Sequence, residues 1–119
     1  MPSKDKAVLA RNRKTYYTKY PEAKLLDSAR RRAQTSNISF SLKREDISIP
    51  THCPVFGFKL EFNTGKQQFN NASIDRIDND VGYHKDNIVV VSVKANFMKR
   101  NGTLQDLKQL YQYYKEIMK

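Results

Sequence analysis

Apolar residues recur at intervals of three and four through Ala23, Leu26, Ala29 and Ala33, which predicts a helix opening at Pro21. Proline suits a first helical position and Glu22 complements the helix N-terminus, while Thr35-Ser36-Asn37 closes the element. Between Ile38 and Ile49 the period shortens. Phe40 and Leu42 alternate and Ile47 and Ile49 follow, predicting a short strand and a turn that Pro50 ends. Residues 52–60 form an apolar knuckle punctuated by Pro54 and Gly57, and residues 61–71, with Asn63, Gly65, Asn70 and Asn71, read as a polar loop. Residues 72–78 read as a strand carrying two carboxylates, residues 79–86 as a polar loop around Gly82, and residues 87–91 as a strongly β-forming second strand. Ser92 is placed to cap a helix running to about Arg100, with Asn101-Gly102 ending it. Thr103 and Asp106 make a capping box for a last helix. The apolar face of that helix (Leu104, Leu107, Leu110, Tyr111, Tyr114, Ile117) is expected to pack on a core.

The pattern accounts for one domain over residues 21–119, which matches a chain of 119 residues. Residues 1–20 are different: Lys4, Lys6, Arg11, Arg13, Lys14 and Lys19 make a basic arm or a short weak helix. Tyr16, Tyr17 and Tyr20 either stack on bases or anchor the arm. Net charge is +10, and it is uneven, with 12 Lys and Arg against 5 acids in residues 1–50 and 10 against 7 thereafter. A surplus of that size points to a polyanionic partner, of which phosphate backbones are the commonest. No apolar stretch reaches the ~18 residues of a membrane span, and the N-terminus has no apolar signal region, so a cytoplasmic location is expected. Cys53 stands alone, so neither a disulfide nor a cysteine-rich zinc site is open to it; a zinc pair with His52 is weaker than simple burial of the thiol.

Three polar residues sit at useful places in residues 72–100. Asp75 on the first strand offers a carboxylate, and Asn96 on the helix offers an amide oxygen. A hard cation that works on phosphate takes such oxygen ligands, so a helix packed across the hairpin could bring both to one ion. Asn87 could tie down the preceding loop. Each residue also has a plainer reading: Asp75 paired with Arg76, Asn87 as a turn residue, Asn96 as a surface amide. Arg30, Arg31 and Arg32, with Lys99 and Arg100, are candidates for phosphate contacts or for solvated faces.

The block Ser73-Ile-Asp-Arg-Ile-Asp78, then Gly82-Tyr83, Asn87-Ile-Val-Val-Val91 and Ala95-Asn96-Phe97-Met98-Lys99, resembles the HNH (His-Me finger) endonuclease family, in its small phage and mobile-element form. The helix around Ala29-Arg30-Arg31-Arg32-Ala33, then Phe40, Leu42 and Cys53-Pro54-Val55-Phe56-Gly57, extend the likeness over roughly residues 20–115. The resemblance implies an α+β fold with a ββα-metal core over about residues 72–100, an N-terminal basic helix and a C-terminal packing helix. It implies cleavage of double-stranded DNA with Mg²⁺ or Mn²⁺, one ion per chain, leaving a 5′-phosphate. By position Asp75 and Asn96 would bind the metal, and Asn87 would be the middle asparagine. One metal site per chain is compatible with nicking, and a double-strand break would need a homodimer or two successive events by a monomer, so one cut strand and two both stand open.

The sequence departs from the family at Arg76, where a histidine usually serves as general base. A guanidinium stays protonated and cannot take that proton. Three routes stand open. His84 could be the base. Asp78 or a metal-bound hydroxide could activate the water, with Arg76 steadying transition-state charge. Or the domain binds DNA and cleaves it weakly or not at all. A basic RNA-binding protein is a further alternative.

Overall fold

The computed structural model describes residues 6–62 and 65–118. Part of the basic arm, Lys4 included, and Asn63 of the polar loop lie outside them. The element order is α1 (Lys6–Lys19), α2 (Pro21–Ser36), a 3₁₀ turn (Arg44–Asp46), β1 (Ala72–Arg76), a second 3₁₀ turn (Lys85–Asn87), β2 (Ile88–Ser92), α3 (Val93–Lys99) and α4 (Leu104–Ile117). The molecule is a mixed helix-and-sheet structure whose sheet is a single antiparallel pair.

α2 begins as its sequence requires, with Pro21 in the first turn, and ends where Asn37 turns left-handed (φ 55°) and its amide bonds the Ala33 and Gln34 carbonyls. Its buried stripe of Leu25, Leu26, Ala29 and Ala33 packs in one cluster with Ile74 of β1, Val90 and Val91 of β2, and Leu42, Ile47, Cys53 and Leu60 from the intervening segments. β1 and β2 pair from Ala72 with Ser92 to Arg76 with Ile88. Strand alternation then puts Ile74 on one face and Ser73 and Asp75 on the other. β1 ends two residues sooner than expected, and β2 keeps its expected length but starts one residue later. Asp78 has left the strand to receive the Asp80 amide on its own carboxylate, and Asn87 sits in the 3₁₀ turn.

α1 is a full helix whose charged surface buries nothing. The tyrosines hold it down. Tyr17 donates to Asp27 on α2 at 2.8 Å, Tyr16 packs on Tyr20, and the Arg44 guanidinium lies over the Tyr20 ring. Anchoring, one of the two alternatives for these residues, is the role this packing serves.

Two expectations change, for residues 38–49 and for α4, while the knuckle between them forms. No strand forms in residues 38–49. The Ser39 and Ser41 backbones bond that of Tyr83 through a single bridge, and Leu42 and Ile47 are pulled individually into the core. The knuckle closes on itself, with Cys53 bonding Phe58, Gly57 (φ 82°) bonding Cys53, and His52 bridged to Lys59. α4 is not a packing helix. Its capping box forms between Thr103 and Asp106, but Leu104 is 85%, Leu110 59% and Ile117 60% exposed. The cause is the turn before it. Arg100 (φ 42°) and Gly102 end α3 so that α4 leads away from the hairpin, and only Leu107 tucks back against Gly102. An amphipathic period reports that a helix has an apolar face. It does not report that the chain supplies the cover.

The energetic contrast is testable. Ile74→Ala, at a position 1% exposed, is expected to cost about 2–5 kcal/mol in urea unfolding. The pair Leu110→Ser and Ile117→Ser is expected to stay within about 0.5 kcal/mol of the parent for each substitution. A loss for that pair as large as for Ile74→Ala would put α4 back in the core.

Candidate active site

Ser92 determines where the site forms. It is the last residue of β2 and the cap of α3: its hydroxyl accepts the Ala95 amide at 3.1 Å and the Cys53 thiol at 3.1 Å, with no exposed surface. The strand therefore turns straight into the helix, and the amides of Val93 and Lys94 are secured by the carbonyls of Asn71 and Phe69. With its start so constrained, α3 lays positions 96 and 99, one turn apart, over positions 73 and 75 of β1. Asn96 Nδ2 donates to Ser73 Oγ at 2.9 Å and to the Ile74 carbonyl at 3.3 Å. Lys99 Nζ lies 3.1 and 3.0 Å from the two oxygens of Asp75 and 2.6 Å from the Arg76 carbonyl.

Asp75 is 7% exposed, so its charge is tolerable only because an ammonium meets it. Beside it opens a cavity of about 350 Å³, walled by Asp75, Asn96, Arg32, Arg76, Arg100 and Tyr83 among others. Three guanidiniums against one neutralised carboxylate make this cavity a site for an anion. Tyr83 organises two of the guanidiniums, with Arg76 at 5.3 Å and Arg32 at 5.9 Å from its ring centre. Arg32 also donates to the Ile74 carbonyl at 3.1 Å. Arg76 is held by the loop, donating to the carbonyls of Asn79 at 2.8 Å and Val81 at 3.2 Å. No ion pair joins Arg76 to Asp78 or to Asp75 among the described residues.

Asn87 does not face the cavity. It is buried, its amide donating to the carbonyls of Asp78, Val81 and Gly82 and its oxygen accepting the Asp78 amide at 2.9 Å. It positions the loop that holds Arg76 and Tyr83. His84 is also elsewhere. Its two ring nitrogens bond Ser39 and Ser41, and it lines a separate depression with Lys43 and Asp86. Gly82 makes that approach possible, because a methyl group there would overlap the Ser39 hydroxyl and carbonyl oxygens.

The Arg30-Arg31-Arg32 run does not act as one cluster, since successive helical positions diverge by about 100°. Arg32 reaches the cavity. Arg30 pairs with Asp27 at 3.1 Å and lies over Phe40. Arg31 faces the groove toward α1. His52 and Cys53 do not form a ligand pair. His52 is exposed beside Thr51, and the buried Cys53 faces Ser92. Burial is the largest influence on that thiol and acts upward, but its hydrogen bonding with the Ser92 side chain and with the backbone at Phe56, Ser92 and Val55 outweighs it and lowers its pKa to about 7. Sequence reasoning missed Ser73 and Tyr83, and it read Lys99 as a phosphate contact. The shared spacing of 73 and 75 with 96 and 99 was the available signal for the Lys99–Asp75 pair.

Among the described residues no three His, Cys, Asp or Glu side chains gather around one point. A cation here would have the Asp75 carboxylate and, with Asn96 Nδ2 engaged on β1, the Asn96 oxygen. Mg²⁺ accepts so sparse a set because it keeps several waters, and the ammonium on Asp75 marks the position as one that takes a cation. The donors fit, provided Lys99 yields. Compared with known proteins, the chain matches no family model, no curated protein and no solved structure.

Two substitutions separate positioning from pairing. Asn87→Ala leaves an amide and carbonyls of a tight loop without partners and is expected to cost about 3 kcal/mol in urea unfolding. Lys99→Met strands a buried carboxylate and is expected to cost about 3 kcal/mol. Asp75→Asn combined with Lys99→Met should recover part of that loss, and strictly additive costs would show that the pair is not coupled.

Proposed function

We propose that the protein is a divalent-metal-dependent endonuclease of the HNH type, acting on double-stranded DNA. The observation that supports this reading is the juxtaposition of Asp75 and Asn96, where α3 crosses β1, at the edge of a cavity walled by Arg32, Arg76 and Arg100. Residues 72–100 would be its ββα-metal core, and the departing strand end and the attacked phosphate would both lie in that cavity.

The roles follow from chemistry. Asp75 and Asn96 would hold Mg²⁺ or Mn²⁺, which when bound supplies Lewis-acid polarisation of a phosphate oxygen. Arg32 and Arg100 would clamp the phosphate against rotation, a task suited to the planar fork of a guanidinium. Arg76 would face the charge that builds on the phosphoryl oxygens, in a place already shaped by the Asn79 and Val81 carbonyls. Lys99, released from Asp75, would stand beside the cavity as a further cation. His84 has both ring nitrogens engaged away from the cavity, so it is not assigned the base. Asp78 is not among the residues that wall the cavity either, which leaves solvent to receive the proton.

A second reading is favoured by the same Lys99. An ammonium seated on both oxygens of Asp75, together with an arginine where a base would serve, suits a domain that binds DNA without cutting it.

Supercoiled plasmid distinguishes the two. With Mg²⁺ or Mn²⁺ the nuclease reading expects a nick, abolished by EDTA and reduced at least about 100-fold by Asp75→Ala or Asn96→Ala. A retarded but uncut plasmid under every metal tested, from protein of unchanged stability, would sink the nuclease and leave the binding module.

A further inference from the structure

Two further depressions continue the cavity toward the N-terminal helix. The first, of about 490 Å³, shares Arg32, Arg76 and Tyr83 with the cavity beside Asp75 and adds Arg31, Ser28 and Thr35. The second, of about 350 Å³, shares Ser28 and Arg31 with the first and adds Arg13, Lys14, Tyr17 and Lys24 among others. Consecutive depressions that share walls form one track from α1, across α2, to the β1–α3 junction.

The track is built by helical spacing. On α2, Lys24, Ser28, Arg31 and Thr35 recur at fours and threes, so they form one stripe beside α1. On α1, Arg13, Lys14 and Tyr17 face that stripe, and the Tyr17–Asp27 bond keeps the two helices together. No carboxylate walls the two outer depressions among the described residues. Three cations elsewhere meet acids directly: Arg30 meets Asp27, Arg44 meets Glu22 and Lys99 meets Asp75. A track walled by Arg13, Lys14 and Arg31 with no carboxylate among its lining residues, in a protein of net charge +10, is the complement of a phosphate backbone.

We infer that this track is the path of one backbone of a DNA duplex, with Arg13, Lys14 and Arg31 holding phosphates on one side of the candidate active site. It rests on the nuclease reading only for the choice of DNA as the nucleic acid. Double-stranded rather than single-stranded nucleic acid follows from the lining. Proteins that take single strands offer open aromatic faces for bases along their path, whereas in the two outer depressions Tyr17 is tied to Asp27 and Tyr83 is buried under Arg32 and Arg76, and Phe97, at the cavity end, is already covered by the Arg100 guanidinium. The contacts are to backbone alone, so the track confers affinity and register, not sequence choice.

The experiment is binding of a fluorescent DNA duplex by the full chain in EDTA, so that nothing is cut, measured from low to moderate salt. The triple variant R13Q/K14Q/R31Q is compared with K43Q/K59Q/K85Q, which removes the same charge away from the track. All six positions are exposed, so both variants should unfold like the parent. The track variant is expected to bind about 10- to 100-fold more weakly, with a slope of log affinity on log salt less steep by about 2–3. The control is expected to lose less than about threefold, by general field alone. Equal losses in the two variants overturn the track, as does tighter binding to a single strand or to an RNA duplex of the same sequence. The two readings fail separately. A chain that uses the track but nicks no plasmid upholds this inference and ends the nuclease, and one that nicks while R13Q/K14Q/R31Q binds like the parent does the opposite.

Discussion

A single buried carboxamide governs the geometry of the functional half of this molecule. Asn87 meets one backbone amide and three backbone carbonyls of residues 78–82. An eleven-residue excursion between two short strands has few other ways to satisfy its polar groups once it folds back on the core. With Asn87 in place, the Val81 carbonyl is held where Arg76 can use it, Tyr83 is buried between two guanidiniums, and Gly82 lies against Ser39. The wall of the cavity is thus a consequence of how a loop meets its own hydrogen-bond requirements. An asparagine is suited to it because one side chain both donates twice and accepts.

The second organising element is the burial of Asp75. A carboxylate placed 7% exposed on the inner face of a hairpin needs a counter-ion, and α3 supplies one because Ser92 starts the helix without an intervening loop. Lys99 and a metal ion would compete for the same oxygens. The position is therefore electrostatically complete without metal, and any cation binding there is an exchange, not the filling of an unpaired charge. Around it, Arg32, Arg76 and Arg100 raise the positive potential of the cavity, which opposes a second cation and favours an anion. The two tendencies are reconciled if phosphate and cation arrive together.

Much of this was legible in the chain. α2, β1, β2, α3 and α4 all lie within a few residues of where hydrophobic spacing puts them, because caps and punctuation are local: Pro21, Asn37, Ser92, Gly102 and Thr103 act on their immediate neighbours. The candidate pair of Asp75 and Asn96 was legible for a similar reason, since strand alternation and helical spacing are both short-period rules. The pairing of Lys99 with Asp75 obeys the same rules but requires the register between strand and helix, which depends on where the turn at Ser92 falls. Residues 38–49 show the limit. Alternation at Phe40 and Leu42 is compatible with a strand, yet a strand needs a partner along its length, and Tyr83 provides one only at a point.

What the sequence determined by itself is therefore local: which segments are helical, where they stop, that the chain carries a large positive surplus, and which residue types could serve a cation or a phosphate. What only the tertiary structure decided is direction and company. It sends the apolar face of α4 into solvent, because a left-handed residue at Arg100 redirects the chain. It splits three consecutive arginines among an ion pair, a groove and a cavity, because each helical step turns the side chain through about 100° and different elements wait at each angle. It removes His84 from the cavity and assigns both its nitrogens to serines more than forty positions away. Local rules act through bonds and neighbours within a turn, whereas these outcomes depend on segments far apart in the chain meeting in space.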